Sequence, residues 1–257
     1  MKLRTAVISS LGLVAVMSCY AASSEDLFSG YTLLREDSKA MQDDDFMNPG
    51  LETVAKGAAM FASKGKNGQT CANCHDQPGK KLNPNLIAKY PVLDATTQKP
   101  ITLQQRVINE WTSRLGNSPL KYEGDEALAL ESYVRNLARG EKVNVQTDGL
   151  MAHFIEEGKK LYETRAGQLD MACDNCHVTY PGVKLRAQVL SQGHSNGFPT
   201  YRLASGKVVG TQSRISQCYD SFRAEPYPYG SEEYTLIELY MNARSNGLKI
   251  ETPAVRF

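Results

Sequence analysis

The pattern "CANCH" at residues 71–75 recurs as "CDNCH" at residues 173–177. C-x-x-C-H is the attachment motif of c-type haem. Two thiols on one turn can each bond a vinyl group of the macrocycle, and the adjacent histidine then reaches the iron. The sequence therefore predicts two covalently bound c-type haems. The predicted attachment residues are Cys71, Cys74, Cys173 and Cys176, and the predicted axial ligands are His75 and His177.

Two other kinds of site use paired cysteines. A thioredoxin-like redox pair would open a helix after a strand, within alternating strands and helices, and neither flank shows that pattern. A zinc site would need two more ligands for each pair, and only His153 and His194 are spare histidines. Covalent haem is the interpretation that both motifs favour.

The surroundings of the two motifs also repeat. "GAAMFASKGKNGQTCANCH" begins at Gly57 and "GKKLYETRAGQLDMACDNCH" begins at Gly158, each with an aromatic residue four positions on. Residues 126–140 and 232–247 then share apolar residues at helical spacing and a glycine stop. In each half we expect the glycine to open a helix. The repeat predicts a mainly α fold of two tandem cytochrome c-like domains, related by internal duplication, with long loops around the haem.

The N-terminus has the features of a secretory signal peptide. "MKLR" supplies positive charge, an apolar run follows, and small residues allow cleavage after Ala21. In an alternative interpretation, Cys19 is the acylated residue of a lipoprotein signal. Either interpretation predicts the periplasm, and no later apolar run is long enough for a transmembrane segment. The formal net charge of +1 gives no indication of nucleic-acid binding.

These features predict four parts of the chain. Residues 1–21 are the signal peptide and 22–46 an N-terminal extension. Cytochrome c-like domain 1 covers 47–143, and domain 2, with the active site, covers 144–257. The polar segment 139–149 is the predicted linker.

Cys218, in "RISQCYDSF", is the odd cysteine of the mature chain. When 103–111 is aligned with 211–219, Arg106 matches Arg214 and Glu110 matches Cys218. This position lies between the attachment motif and the final helix of each half, where a sixth haem ligand would arise. Cys218 is therefore predicted to ligate the second iron opposite His177. The alternatives are a buried structural cysteine and a bridge to another chain.

The sequence does not identify the sixth ligand of the first haem, because a glutamate such as Glu110 is a poor ligand for c-type haem. The site is either open or completed by another residue; the candidates are Met41, Met47, Met60, His153 and His194. Arg214 and Arg244 are candidate oxyanion-binding residues. Haem propionates or solvent are the alternative partners of both arginines.

Several stretches together resemble the SoxA family of dihaem c-type cytochromes. They are "GQLDMACDNCH", "GHSNGFPTYRL" and the run from Gly210 to Arg256 that contains "RISQCYDSFRAEPYPYGSEEY". The resemblance implies the haem subunit of a SoxAX complex with a small SoxX-like monohaem cytochrome. It implies L-cysteine S-thiosulfotransferase activity: thiosulfate is joined oxidatively to a cysteine of a SoxYZ-like carrier protein, and electrons leave through haem.

The resemblance also implies residue roles. His177 and Cys218 would ligate the active-site haem, Cys218 often carrying an extra sulfur as a persulfide, and Arg214 and Arg244 would be active-site arginines. The chain departs from the family at "INEWTSRLG", where Glu110 replaces a cysteine that many members use for the first haem. The alternatives are a thiosulfate dehydrogenase that forms tetrathionate, an electron-transfer cytochrome without substrate chemistry, and a dihaem peroxidase.

Overall fold

A computed structural model describes residues 27–186 and 188–257, so the predicted signal peptide and Cys19 lie outside the described residues. A short 3-10 helix, Gly30–Leu33, precedes the α-helices. These are α1 (Glu36–Asp43), α2 (Gly50–Ala62), α3 (Cys71–His75), α4 (Pro84–Ile87), α5 (Leu103–Ser113), α6 (Asp125–Asn136), α7 (Leu150–Glu163), α8 (Cys173–His177), α9 (Thr211–Phe222) and α10 (Glu232–Arg244). The strands are β1 (Val92–Leu93), β2 (Pro100–Ile101), β3 (Lys184–Leu185), β4 (Gln188–Val189), β5 (Thr200–Arg202), β6 (Lys207–Val209) and β7 (Ala254–Arg256).

The helices confirm the predicted mainly α fold and its duplication. In the first half α2 leads to the attachment helix α3, followed by α5 and α6. In the second half α7, α8, α9 and α10 repeat that order. The long first helix of each half packs on the last, α2 against α6 and α7 against α10. Each half thus buries its apolar side chains around one helix crossing. Across residues 27–186 and 188–257, no helix combines the length and apolarity that a membrane crossing requires.

Two glycines permit the helix crossings, and here the prediction that they open helices was wrong. Gly57 lies inside α2 and Gly158 inside α7. A Cβ atom on Gly57 would collide with the Ala129 carbonyl, and one on Gly158 with the Leu236 carbonyl. Glycine inside a helix costs roughly 1 kcal/mol relative to alanine. Glycine is nevertheless required at both positions, because the backbones of the two crossing helices are in direct contact there.

The second half contains a three-stranded sheet that was not predicted from the sequence. Its strand order is β6-β5-β7, with β5 antiparallel to β6 and parallel to β7. Arg202, at the end of β5, pairs in register with Lys207 and Arg256. The sheet thereby fixes a buried arginine between two segments that are distant in sequence.

The predicted linker and N-terminal extension both pack on the C-terminal segment. Val143 and Val145 are buried, and the Val143 amide donates to the Leu248 carbonyl at 2.9 Å. Ser29 Oγ donates to Glu251 at 2.6 Å, and the Gln42 amide oxygen accepts from the Val255 amide at 3.0 Å. The linker and the N-terminal extension are therefore both held against the C-terminal segment.

Buried glutamates occupy the contact between the halves. Gln104 of α5 donates to Glu131 of α6 at 2.6 Å, and Gln212 of α9 donates to Glu238 of α10 at 3.1 Å. These two pairs occupy equivalent positions of the duplication. Glu123 joins the halves directly, since it accepts from the Gln212 amide at 3.1 Å. Below, this group of glutamines and glutamates is called the inter-half seam.

The seam predicts how stability depends on pH. Burial raises the pKa of Glu131 from 4.5 to about 7, against the opposing effects of Gln104 and Arg135. The folded chain keeps this proton while the unfolded chain releases it, so stability falls as pH rises from about 4.5 to about 7. We expect Glu131→Gln, which cannot titrate, to reduce the loss of unfolding free energy between pH 5 and 8 by roughly 2 kcal/mol.

Urea unfolding midpoints at the two pH values measure this effect. Glu126→Gln, on the exposed face of the same helix, is the matched control. Equal pH dependence in the two variants would contradict the expected role of Glu131.

Candidate functional site

An asparagine at the third position of each motif caps the start of the attachment helix. In α3 the Asn73 side chain accepts from the Thr70 amide at 2.6 Å, and Thr70 Oγ1 accepts from the Asn73 amide at 3.0 Å. In α8 the Asn175 side chain accepts from the Ala172 amide at 2.8 Å. A helix of five residues has little stability of its own, so these caps hold the two cysteines and the histidine in one turn.

The first attachment helix borders a large apolar cavity of about 400 Å³. Cys71 and His75 both line it, whereas Cys74 lies exposed. The other walls are mostly aliphatic and aromatic, which suits a macrocycle whose faces are apolar. The side chains present therefore fit a haem attached at this motif. The remaining lining residues are Phe61, Lys81, Leu82, Asn83, Leu86, Ile87, Tyr90, Leu103, Arg106, Val107, Glu110, Trp111, Leu130 and Val134.

The second attachment helix holds its histidine in the state that an iron ligand requires. His177 Nδ1 lies 2.8 Å from the Ser191 carbonyl, a contact that assigns the ring proton to Nδ1 and leaves the Nε2 lone pair free. Burial lowers the pKa of His177, which favours the neutral ring. Gly193 packs against this ring: its φ is +73°, and a Cβ atom there would lie 2.8 Å from His177 Cγ. No such hydrogen bond is made by the His75 ring within the described part of the chain.

The structure brings Cys218 to the second attachment helix. Cys218 is half-buried on α9. Burial raises the pKa values of Cys173 and Cys176, and Cys218 lies near enough that its negative charge would raise them further. None of the five described cysteines forms a disulfide. The odd thiol therefore belongs to the environment of the second motif.

The equivalent position in the first half carries a different chemistry. Arg106 and Arg214 are both the fourth residue of their helices, α5 and α9, and Glu110 and Cys218 both lie one turn later. Glu110 contacts Arg106 at 3.8 Å and Arg114 at 3.3 Å. The Glu110 carboxylate is thus part of a charge network along α5, and it lines the first cavity.

Arg202 is a site residue that the sequence analysis missed. Its side chain is 9% exposed, and burial together with the charge of Arg214 lowers its pKa from 12.5 to about 10. The charge of Cys218 acts in the opposite direction. Arg202 and Arg214 therefore share one environment with Cys218. The only signal in the sequence was an arginine within the apolar stretch "GFPTYRL". The sheet that holds it consists of the β5–β6 hairpin before α9 and the distant strand β7.

Arg244 lies toward the histidine side of this environment. Its guanidinium donates to the Tyr162 hydroxyl at 2.9 Å and lies 5.3 Å from the centre of the Tyr162 ring. Its charge lowers the pKa values of His177 and His194. His194, predicted only as a possible ligand, is also in this region, and its Nδ1 has no hydrogen-bond partner among the described residues.

In the described part of the chain, Arg202, Arg214 and Arg244 lack the kind of acidic partner that Arg106 has in the first half. Arg106 is neutralised by Asp94 at 2.8 Å. Among residues 27–186 and 188–257, no carboxylate lies within ion-pair distance of Arg202, Arg214 or Arg244. An uncompensated positive charge is costly inside a protein, so a buried cationic group of this kind indicates an anion-binding site.

Comparison with known proteins identifies the family. The model of the family described as "SoxA/TsdA, cytochrome c domain" matches residues 56–143 and again 157–250. This chain belongs to the SoxA/TsdA cytochrome c family. As a member of the SoxA/TsdA family, the chain is a cytochrome that binds c-type haem.

Similar proteins lie within the SoxA branch of this family. The L-cysteine S-thiosulfotransferase subunit SoxA of Paracoccus pantotrophus is 37% identical over 92% of this chain and 81% of its own length. The subunit of the same name from Pseudaminobacter salicylatoxidans is 36% identical over 89% of this chain and 80% of its own length. A chain in the crystal structure of SoxXA from P. pantotrophus superposes with a TM-score of 0.86, at 37% identity, over 90% of this chain and 87% of that one.

Proposed function

We propose that this SoxA-family chain is the haem subunit of an L-cysteine S-thiosulfotransferase, which joins thiosulfate to a cysteine of a SoxYZ-like carrier protein. The observation that carries this proposal is the uncompensated pair Arg202 and Arg214 beside Cys218. Thiosulfate is a dianion, and guanidinium groups bind oxyanions through two parallel hydrogen bonds. A reactive sulfur next to an anion site suits transfer of a sulfur group.

The proposed reaction is a two-electron oxidation of thiosulfate and the carrier thiol. A sulfur–sulfur bond forms between thiosulfate and the carrier thiol, the S–H bond of the carrier breaks, and one proton and two electrons are released. Haem, when bound, accepts electrons one at a time. The chain itself binds the dianion, places it beside Cys218 and holds the His177 ring neutral.

We propose the following roles for the site residues. Cys218 and His177 would hold the iron of the second haem, and the Cys218 sulfur would take part in the sulfur transfer. Arg202 and Arg214 bind thiosulfate. Arg244 acts as a positioning residue, because it donates to the Tyr162 hydroxyl beside Gly193, and Gly193 packs against the His177 ring. The two haems are attached through the four cysteines Cys71, Cys74, Cys173 and Cys176, with His75 on the first iron.

The proposed partner is a SoxX-like monohaem cytochrome, and the proposed location is the periplasm. An exposed apolar patch next to α8 and the β3–β4 hairpin offers a docking surface beside the second haem site, and such patches are typical of protein interfaces. A cytochrome docked there could take electrons from the active site. The patch consists of Val178, Tyr180, Val183, Leu185 and Val189.

The test is an assay of the complete complex with thiosulfate, an electron-accepting cytochrome and a SoxYZ-like carrier. We expect carrier-dependent reduction of cytochrome and a carrier cysteine whose mass increases by one thiosulfate. Tetrathionate formed at full rate without the carrier would identify a thiosulfate dehydrogenase instead. No thiosulfate-dependent reduction with the carrier present would identify an electron-transfer protein.

A further inference from the structure

The two halves differ most at the position that faces their attachment helices from α5 and α9. In the second half this position is Cys218, and in the first half it is Glu110. The first cavity is thus the counterpart of the second site. In the first cavity a carboxylate takes the place of the sulfur. The question is whether any other side chain takes over the role of the sulfur.

Among the described residues, the lining of the first cavity contains no cysteine, histidine or methionine that could replace the sulfur, and its tyrosine, Tyr90, hydrogen-bonds Arg106. Among the described residues that line it, the attachment residues Cys71 and His75 are the only cysteine and histidine, and no methionine lines it. Lys81 is next to the histidine in space, since its amide donates to the His75 carbonyl at 3.1 Å, and its ammonium contacts Asp76 at 3.2 Å. It therefore belongs to the His75 side of the cavity.

The candidates that the sequence suggested as sixth ligand of the first haem lie elsewhere. His153 is exposed on α7 and contacts Glu157 at 3.4 Å, and His194 lies beside His177. Met47 is exposed at the surface. Met41 and Met60 are half-buried, and neither lines the cavity.

Glu110 is itself poorly suited to bind the iron. Its two oxygens contact different arginines, one Arg106 and the other Arg114. A carboxylate that ligated iron would lose both contacts, and carboxylate oxygens prefer harder metal ions than haem iron. The ion pairs along α5 therefore hold Glu110 as a wall of the cavity.

We propose that the first haem site has an exchangeable sixth position that binds small external haem ligands such as cyanide or imidazole. Glu110, Trp111 and Val107 line the first cavity from α5 and would form the wall on that side of the bound group. Steric access and the polarity of the distal wall decide which ligands a haem takes, and this wall is mostly apolar with one charged network. This inference depends on haem attachment at "CANCH" and not on the proposed sulfur-transfer activity.

The experiment is a cyanide titration of the oxidised, purified chain with its haems attached, followed by optical and electron paramagnetic resonance spectra. We expect one haem in each chain to show a high-spin ferric signal that cyanide converts to low spin, at a stoichiometry of one equivalent. The other haem should stay unchanged. A chain whose haems are all low-spin and bind no cyanide would overturn the proposal, whatever its enzymatic activity.

A variant assigns the site. Glu110→Cys places a thiol at the position that Cys218 occupies in the other half, and we expect the high-spin signal and cyanide binding to be lost. Glu110→Gln is the matched variant that adds no sulfur, and it should retain cyanide binding. Undiminished cyanide binding by Glu110→Cys would place the ligand on the other haem and would overturn the proposal.

Discussion

Replacement of Cys218 with alanine is expected to lower the rate of thiosulfate conjugation at least about 100-fold, because the sulfur is the proposed reactive group of the site. The residue is half-buried on α9, and alanine is a good helix former, so the helix should be retained. Haem attachment should also be retained, since the thioether bonds come from α8. The conjugation assay and the haem content of the purified variant measure these two expectations separately.

The control for Cys218 is on the same helix. Ser221 is exposed, and its hydroxyl donates only to the Gln217 carbonyl at 2.8 Å. Ser221→Ala should therefore conjugate thiosulfate at the rate of the unmodified chain. If Cys218→Ala also kept that rate, the proposed role of the thiol would be wrong, and the chain would more closely fit an electron-transfer cytochrome.

Arg202→Gln is expected to lower kcat/KM for thiosulfate by about 10- to 100-fold. The loss corresponds to about 1.5–3 kcal/mol, the usual contribution of a hydrogen bond to a charged group. The effect should be mainly on KM, because Arg202 is proposed to bind the dianion and not to react. Arg214→Gln should act in the same direction, since both guanidinium groups are proposed to bind the same anion.

A stability measurement distinguishes a binding role from a structural one. Burial and the charge of Arg214 both lower the pKa of Arg202, so the charged side chain opposes folding. Arg202→Gln should therefore keep or raise the urea midpoint while it weakens thiosulfate binding. Arg223→Gln, an equal change of charge at an exposed position, is the control and should alter neither. A large fall in midpoint with an unchanged KM would show that Arg202 is only structural.

The sequence predicted the features that depend on local spacing. The attachment motifs, the duplicated helices and the equivalence of Glu110 with Cys218 were all visible, because residues on one helix keep a fixed relation. The contribution of Arg202 was not visible, because the hairpin of β5 and β6 that leads into α9 and the pairing of β5 with residues 254–256 were not predicted from the sequence. The role of Gly57 was also not predicted, because the sequence does not show that the Ala129 carbonyl of α6 lies against this position of α2.

The inter-half seam has a consequence for electron transfer. Domains joined by a small polar interface usually move relative to one another. Here Glu123 binds backbone amides of α9, and the segment 139–149 is packed against the C-terminal residues. These contacts would restrain movement of one attachment helix relative to the other. Electron exchange between haems attached to them would then need no diffusional search between the halves, and its rate would depend on their separation and on the two reduction potentials.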